Sequence, residues 1–113
     1  MTYVLTRHDE APLQDLGGGV TRRILAYTDK LMIVEVNFER GSIGAVHSHP
    51  HTQNTYILSG RFRFTADGEA VEVSVGDSLA FESGVPHGTV CLEAGTVLDV
   101  FTPMREDFVQ PAL

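Results

Sequence analysis

The chain has 113 residues with a single cysteine, no tryptophan and few basic side chains. Because Cys91 stands alone, neither an internal disulfide framework nor a cysteine-rich zinc site can form, so stability must come from packing. Eight basic against fifteen acidic residues give a net charge of −7. Such a surface repels phosphate backbones, so a nucleic-acid function is not expected. No apolar run approaches the roughly 20 residues of a membrane span.

Length and the first residues set further expectations. A chain of this size forms one core, which predicts a single domain over residues 1–113. The first ten residues reach charged side chains before any apolar core of the length that a signal peptide needs, which argues against a signal peptide. We therefore expect a reduced, cytoplasmic compartment with no membrane and no nucleic-acid partner.

Eleven glycines and five prolines divide the sequence into short segments of β-type composition. Apolar and polar residues alternate over 31–39, 61–64 and 71–75, which predicts strands with one buried and one exposed face. Only Pro103 to Val109 suggests a helical turn or two, with Pro103 at the first position. Many short, evenly spaced strands predict an all-β sandwich or barrel with little or no helix.

Histidines cluster at positions 47, 49 and 51, and a fourth lies at position 87. On a strand, His47 and His49 would point to one face, where two imidazoles can bind one metal ion, and His87 is the natural third ligand. Pro50 interrupts the alternation, so we expect His51 beside the site or at the surface. The alternative for any single histidine is a surface or hydrogen-bonded position. The spacing favours one divalent transition metal, and imidazole suits Ni, Zn, Fe, Mn and Co about equally.

The spacing around these histidines resembles the two signatures of the cupin superfamily. The first, G-x5-H-x-H-x3-E-x6-G, is matched by Gly41, His47, His49, Gln53 and Gly60. The second, G-x5-P-x-G-x2-H-x3-N, is matched by Gly76, Glu82, Gly84, His87 and Cys91, with Glu82 in place of proline and Cys91 in place of asparagine. The resemblance implies a double-stranded β-helix, a jelly-roll-like barrel, with three histidines converging inside.

Gln53 stands where most cupins have glutamate. An amide oxygen can ligate a divalent ion but brings no charge, so three imidazoles and an amide would leave the full +2 on the metal. Such an ion is a strong Lewis acid and anchors anions. The alternative is that Gln53 is a hydrogen-bonding wall residue. For Cys91 we expect a packed thiol rather than a nucleophile.

A second informative segment runs from residue 98 to residue 108. Asp99 interrupts an apolar strand at the phase shared by Phe101. If that face looks inward, Asp99 is a buried carboxylate with a tuned pKa; the alternative is an outward, exposed carboxylate. Arg105 follows a bend bounded by proline and could close the barrel mouth over a substrate carboxylate. The alternative is that Arg105 is solvated and forms an ion pair with Glu106 or Asp107.

Residues 47–51 (His-Ser-His-Pro-His), 56–64 and this C-terminal segment resemble the pectin-degradation uronate-cycle proteins, the KdgF family. Its members convert 4,5-unsaturated monouronates, released from pectin or alginate, to linear ketonised uronates. The resemblance implies a metal bound by His47, His49, Gln53 and His87. It implies Asp99 and Arg105 as catalytic residues, and Phe101 and Arg105 as substrate-binding residues. Thr52 stands where such chains often carry glutamate.

The resemblance also implies a small anionic sugar-acid substrate and, as in many small cupins, a homodimer. Three other functions are compatible with the same histidines. They are an Fe(II)-dependent small-molecule dioxygenase, a non-catalytic metal-dependent ligand-binding or sensor module, and a lyase that acts on small anions. The identity of the metal and any uptake of oxygen would distinguish the dioxygenase.

Overall fold

The computed structural model describes residues 2–109 as two antiparallel sheets that face each other. A 3-10 turn at His8–Glu10 precedes the first strand. The strands are β1 (Gln14–Gly17), β2 (Val20–Tyr27), β3 (Met32–Phe38), β4 (Ile43–His47), β5 (Thr52–Ile57), β6 (Arg61–Ala66), β7 (Glu69–Ser74), β8 (Ser78–Phe81), β9 (His87–Glu93) and β10 (Gly95–Thr102). One sheet has the order β1-β2-β3-β10-β5-β8 and the other has the order β4-β9-β6-β7. The predicted all-β architecture with little helix is therefore confirmed.

Strand alternation places one side of each strand in the interior. Along β5 the burial alternates strictly, so Gln53, Thr55 and Ile57 face inward. Phe62 and Phe64 do the same on β6. The main core lies between the sheets and consists of Val20, Phe38, Ile57, Phe62, Phe64, Val73, Phe81, Cys91 and Val97. The expected packing of the Cys91 thiol is confirmed, since that residue is 1% exposed.

The interior is apolar at one end and polar at the other, because the inward residues change along the strands. On β5 the inward residue changes from Ile57 to Thr55 and Gln53. On β10, Val97 is followed at the same phase by Asp99 and then Phe101. The polar end of the barrel is thus built by the same alternation that builds the core.

Gly60, the last residue of the first signature, lies in the turn between β5 and β6, where the backbone of residues 93–95 comes very close. Its φ of +83° lies in the left-handed region. A Cβ there would lie 2.5 Å from the carbonyl oxygen of Glu93. Only glycine meets both requirements without strain.

The helix predicted from Pro103 is shorter than expected and begins later. α1 spans Glu106–Val109. The backbone N–H of Met104 instead donates to the carbonyl of Asp29, in the turn after β2. Because this bond ties the chain next to Pro103 to a distant turn, Pro103 does not begin the helix. Over residues 2–109, no helix is long and apolar enough to cross a membrane.

Candidate functional site

Three imidazoles converge at the polar end of the barrel. His47 ends β4 and is paired in register with His87, which begins β9. The ring centroids of His47 and His87 are 4.7 Å apart, and those of His49 and His87 are 5.0 Å apart. One potential ligand atom from each histidine lies within 4.8 Å of the other two. The three residues can therefore form a metal site.

Backbone carbonyls fix the tautomer of each ring. Nδ1 of His47 lies 2.9 Å from the carbonyl oxygen of Ala45, and Nδ1 of His87 lies 2.9 Å from that of Val85. Nδ1 of His49 lies 3.0 Å from the carbonyl oxygen of His51. A carbonyl only accepts, so each Nδ1 carries the proton and each neutral ring presents an unprotonated Nε2.

The side-chain oxygen of Gln53 faces these nitrogens. Gln53 is 5% exposed, and its Oε1 lies 2.9 Å from Nε2 of His49 and 3.2 Å from Nε2 of His87. An amide oxygen and two imidazole lone pairs are all acceptors, so this arrangement is repulsive without a positive charge among them. Burial lowers the pKa of both His49 and His87, which opposes a second proton on either ring. A divalent cation fits this donor set.

His47 and His49 come together for a different reason from the one predicted, which was that both lie on one face of a strand. β4 ends at His47, and His49 lies in the loop between β4 and β5, so the two residues do not share a strand face. The backbone of that loop is held instead by a bond from the N–H of Gly84 to the carbonyl of His49. His51 is partly buried beside Phe101 and has a buried Nδ1 without a hydrogen-bond partner among the described residues.

Asp99 lines the same cavity from β10. The antiparallel register sets Asp99 opposite Thr55 and Phe101 opposite Gln53. Oδ1 of Asp99 accepts from Oγ1 of Thr55 at 2.7 Å and from Nε2 of Gln53 at 3.2 Å. Burial raises the pKa of Asp99 to about 6, although both hydrogen bonds and the nearby positive charge of Arg105 oppose the rise. The predicted shared phase of Asp99 and Phe101 is found in the structure.

Arg105 is buried, not solvated, although it does pair with a neighbouring acid. Its Nε and one terminal nitrogen donate to the two carboxylate oxygens of Asp107 at 3.0 and 2.8 Å. Its guanidinium carbon lies 4.1 Å from the ring centre of Phe108 and 5.1 Å from that of Phe101. These contacts hold the guanidinium at the pocket wall and leave it a further terminal nitrogen for a ligand.

A pocket of about 330 Å³ joins these groups. This volume lies in the range of small-molecule sites. Its polar and aromatic lining includes His47, Gln53, His87, Asp99, Phe101 and Arg105. Apolar residues of β2, β3 and β10 form much of the remaining wall, as in sites that exclude water around a few placed polar groups.

Two further residues of this site were not predicted from the sequence. Arg22 on β2 also lines the pocket, with its guanidinium carbon 3.9 Å from the ring centre of Phe108. Its Nε donates to the side-chain oxygen of Gln14 at 2.7 Å. Burial lowers the pKa of Arg22, and the charge of Arg105 lowers it further. Thr55 is fully buried between Gln53 and Asp99. No local sequence pattern indicates that Arg22 belongs to the site. Thr55 could have been predicted, because it lies two residues after Gln53 on the same strand and so points to the same face.

Comparison with known families agrees with this geometry. The cupin domain family model matches residues 34–101, which contain the three histidines and Gln53. A crystal structure of an RmlC-like cupin from Shewanella frigidimarina is 36% identical and superimposes with a TM-score of 0.90, covering 95% of this chain and 96% of that one. Bacillus subtilis oxalate decarboxylase, at 23% identity and a TM-score of 0.83, shares the fold over 32% of its own length.

Two relatives carry a more specific name. The pectin degradation protein KdgF of Dickeya dadantii is 41% identical over 103 residues, which cover 89% of this chain and 94% of the relative. The structure of KdgF from a Halomonas species is 37% identical, has a TM-score of 0.89 and covers 95% of this chain and 99% of that one. From the fold, the histidine site and these likenesses together, the chain belongs to the cupin family and, within it, to the KdgF group.

Proposed function

We propose that this protein acts in pectin or alginate degradation, where it converts 4,5-unsaturated monouronates to linear ketonised uronates in a metal-dependent reaction. The observation that carries the proposal is a pocket whose lining includes His47, His87, Asp99, Phe101 and Arg105. A cation site, an acid–base group, an aromatic wall and a guanidinium share one cavity. The relationship to the pectin degradation protein KdgF supports the same substrate class.

The substrate is an enol ether with a carboxylate on C5 and a hemiacetal at C1. Ring opening breaks the C1–O5 bond, and the O1–H proton leaves as the C1 aldehyde forms. A proton then enters at C4, and C5 becomes a ketone. Atoms balance without an oxidant or reductant, so the protein has to move one proton and stabilise negative charge at O5 and the carboxylate.

The residues of the pocket suit these requirements. A divalent cation held by His47, His49, His87 and Gln53 would supply Lewis-acid polarisation of the substrate oxygens. Because those four ligands are neutral, the site keeps a positive charge that attracts an anion although the whole protein carries −7. Arg105 would bind the substrate carboxylate.

Asp99 would transfer the proton. Burial holds its pKa at about 6, so both protonation states are accessible near neutral pH, as a general acid–base group requires. Its Oδ1 takes both hydrogen bonds from Thr55 and Gln53, which leaves Oδ2 for the substrate. The ring of Phe101 would pack against the sugar.

Arg22 would add a second positive charge at the pocket. It is partly buried, and no ion pair to it is found among residues 2–109. A partly buried cation beside a second cation is stabilised when an anion binds near it. We therefore assign Arg22 to binding of the anionic substrate together with Arg105.

The experiment follows the absorbance of the conjugated double bond in 4,5-unsaturated galacturonate and in its alginate-derived equivalent. Metal-loaded protein should accelerate the decay over the spontaneous rate. Asp99→Asn should lose most of the acceleration and keep its metal, and Arg105→Ala should mainly raise KM. Decay curves identical with and without loaded protein would refute the proposal, and oxygen uptake by the Fe(II)-loaded protein would favour a dioxygenase.

A further inference from the structure

Gln53 can face its neighbours in two ways, and only one of them leaves the histidine site open to a cation. With its oxygen toward His49 and His87, the amide is a fourth ligand. Turned by 180°, its N–H groups would donate to the bare Nε2 atoms of the same two rings. That second orientation would satisfy the imidazoles without a metal ion and would close the site.

The contacts on the other side of Gln53 decide between the two orientations. Nε2 of Gln53 lies 2.9 Å from Oγ1 of Thr55 and 3.2 Å from Oδ1 of Asp99. Thr55 donates its own hydroxyl proton to Oδ1 of Asp99 at 2.7 Å, so its oxygen must accept from Gln53. A carboxylate oxygen also only accepts. Both neighbours therefore require the nitrogen of Gln53, and its oxygen must face the histidines.

We propose that Thr55 is a positioning residue of the metal site, which acts with Asp99 to hold the Gln53 amide with its oxygen toward the cation. Asp99 then has a second task besides the proton transfer proposed for it. The inference rests on the proposed metal site and not on the proposed reaction. Thr55 has the required rigidity, because it is 0% exposed and is paired in register with Asp99.

The same contacts give a reason for glutamine rather than glutamate at position 53. A glutamate there would set a second carboxylate against Asp99 at the 3.2 Å contact that the amide nitrogen now makes. An ionised glutamate would also offer no proton to Thr55. Two carboxylates at that separation cannot both ionise easily. Gln53 and Asp99 therefore depend on each other.

Cobalt(II) is a suitable probe, because its visible absorption reports the ligand set and its affinity can be measured by competition with a chelator. Thr55→Val keeps the shape of the side chain and removes the hydroxyl. Thr55→Ser keeps the hydroxyl and removes a methyl group. We expect Thr55→Val to weaken cobalt(II) binding about tenfold, with an altered spectrum, and Thr55→Ser to bind within about twofold of wild type.

A double-variant cycle separates positioning from a general packing effect. If Thr55 acts through Gln53, then Thr55→Val should have no further effect on cobalt(II) affinity in a Gln53→Leu background. Should Thr55→Val fail to fold, Thr55→Ala and Thr55→Ser form a second pair that differs by the hydroxyl oxygen. An equal loss in both backgrounds would overturn the inference.

Further results would also overturn it. The inference fails if Thr55→Val binds cobalt(II) with wild-type affinity and a wild-type spectrum. If the second pair is used, it fails when Thr55→Ala and Thr55→Ser bind cobalt(II) equally well. Wild-type protein that binds no cobalt(II) would refute both the inference and the proposed function. Tight cobalt(II) binding with hydroxyl-dependent affinity, but no acceleration of uronate decay, would support the inference and refute the reaction.

Discussion

Replacing Asp99 by asparagine should stabilise the metal-free protein while it removes activity. The pKa of the Asp99 carboxyl rises from its ordinary value of 3.8 to about 6, chiefly because burial disfavours its charge. Asparagine keeps the size and the acceptor oxygen that Thr55 and Gln53 require, but it carries no charge. The change therefore removes the cost of ionising a desolvated carboxyl and leaves the local contacts in place.

The sign and size of the effect follow from proton linkage. The folded state holds the proton to higher pH than the unfolded state, so the carboxyl lowers stability as the pH rises from about 4 through about 6. The shift corresponds to as much as about 3 kcal/mol at pH 7, and pocket water makes this an upper value. Asp99→Asn should exceed wild type by about 1–3 kcal/mol at pH 7 and by much less at pH 4.

Urea denaturation in the presence of a chelator, at several pH values between 4 and 7, measures the difference in the free energy of unfolding. Asp29→Asn is a matched control, because Asp29 is exposed and its side chain makes no hydrogen bond within residues 2–109. That variant should show no comparable pH-dependent gain. An Asp99→Asn variant no more stable than wild type at pH 7, or a difference independent of pH, would refute the reasoning.

Three further predictions concern metal, substrate and assembly. Elemental analysis should show that His87→Ala loses most of its bound metal while it stays folded, whereas His51→Ala should keep a near-normal metal content. Stoichiometric metal in His87→Ala would contradict the assignment of His87 as a ligand. Arg22→Gln should raise KM for the uronate about tenfold with kcat little changed, and Arg63→Gln, an exposed arginine on β6, should leave both unchanged. Light scattering should show a dimer that depends on the exposed apolar segment Tyr3–Leu5, and a monomer at high protein concentration would exclude this assembly.

The features that follow from local pattern could be predicted from the sequence. The alternation of apolar and polar residues predicted the strands. The shared phase of Asp99 and Phe101 predicted that both face the same side, and both line the pocket. The signature spacing brought His87 to His47, although they are distant in sequence. A single domain over residues 1–113 stays a prediction, which one cooperative unfolding transition would support.

What could not be predicted depends on contacts across elements. The place of His49 in a loop follows from a bond to Gly84, and no periodicity encodes it. Arg22 enters the pocket because β2 packs beside β3, which brings it against Phe108 at the far end of the chain. The orientation of the Gln53 amide depends on Thr55 and on Asp99, which is 46 residues away in the sequence.

The central claim is that one pocket combines a metal site with an acid–base carboxyl that acts on an unsaturated uronate. The most direct test is the decay of the conjugated-alkene absorbance of 4,5-unsaturated galacturonate with metal-loaded wild type, with the chelated protein and with metal-loaded Asp99→Asn. We expect acceleration by loaded wild type only, with full metal content retained in Asp99→Asn. Equal rates for wild type and Asp99→Asn, or undiminished acceleration after chelation, would contradict it.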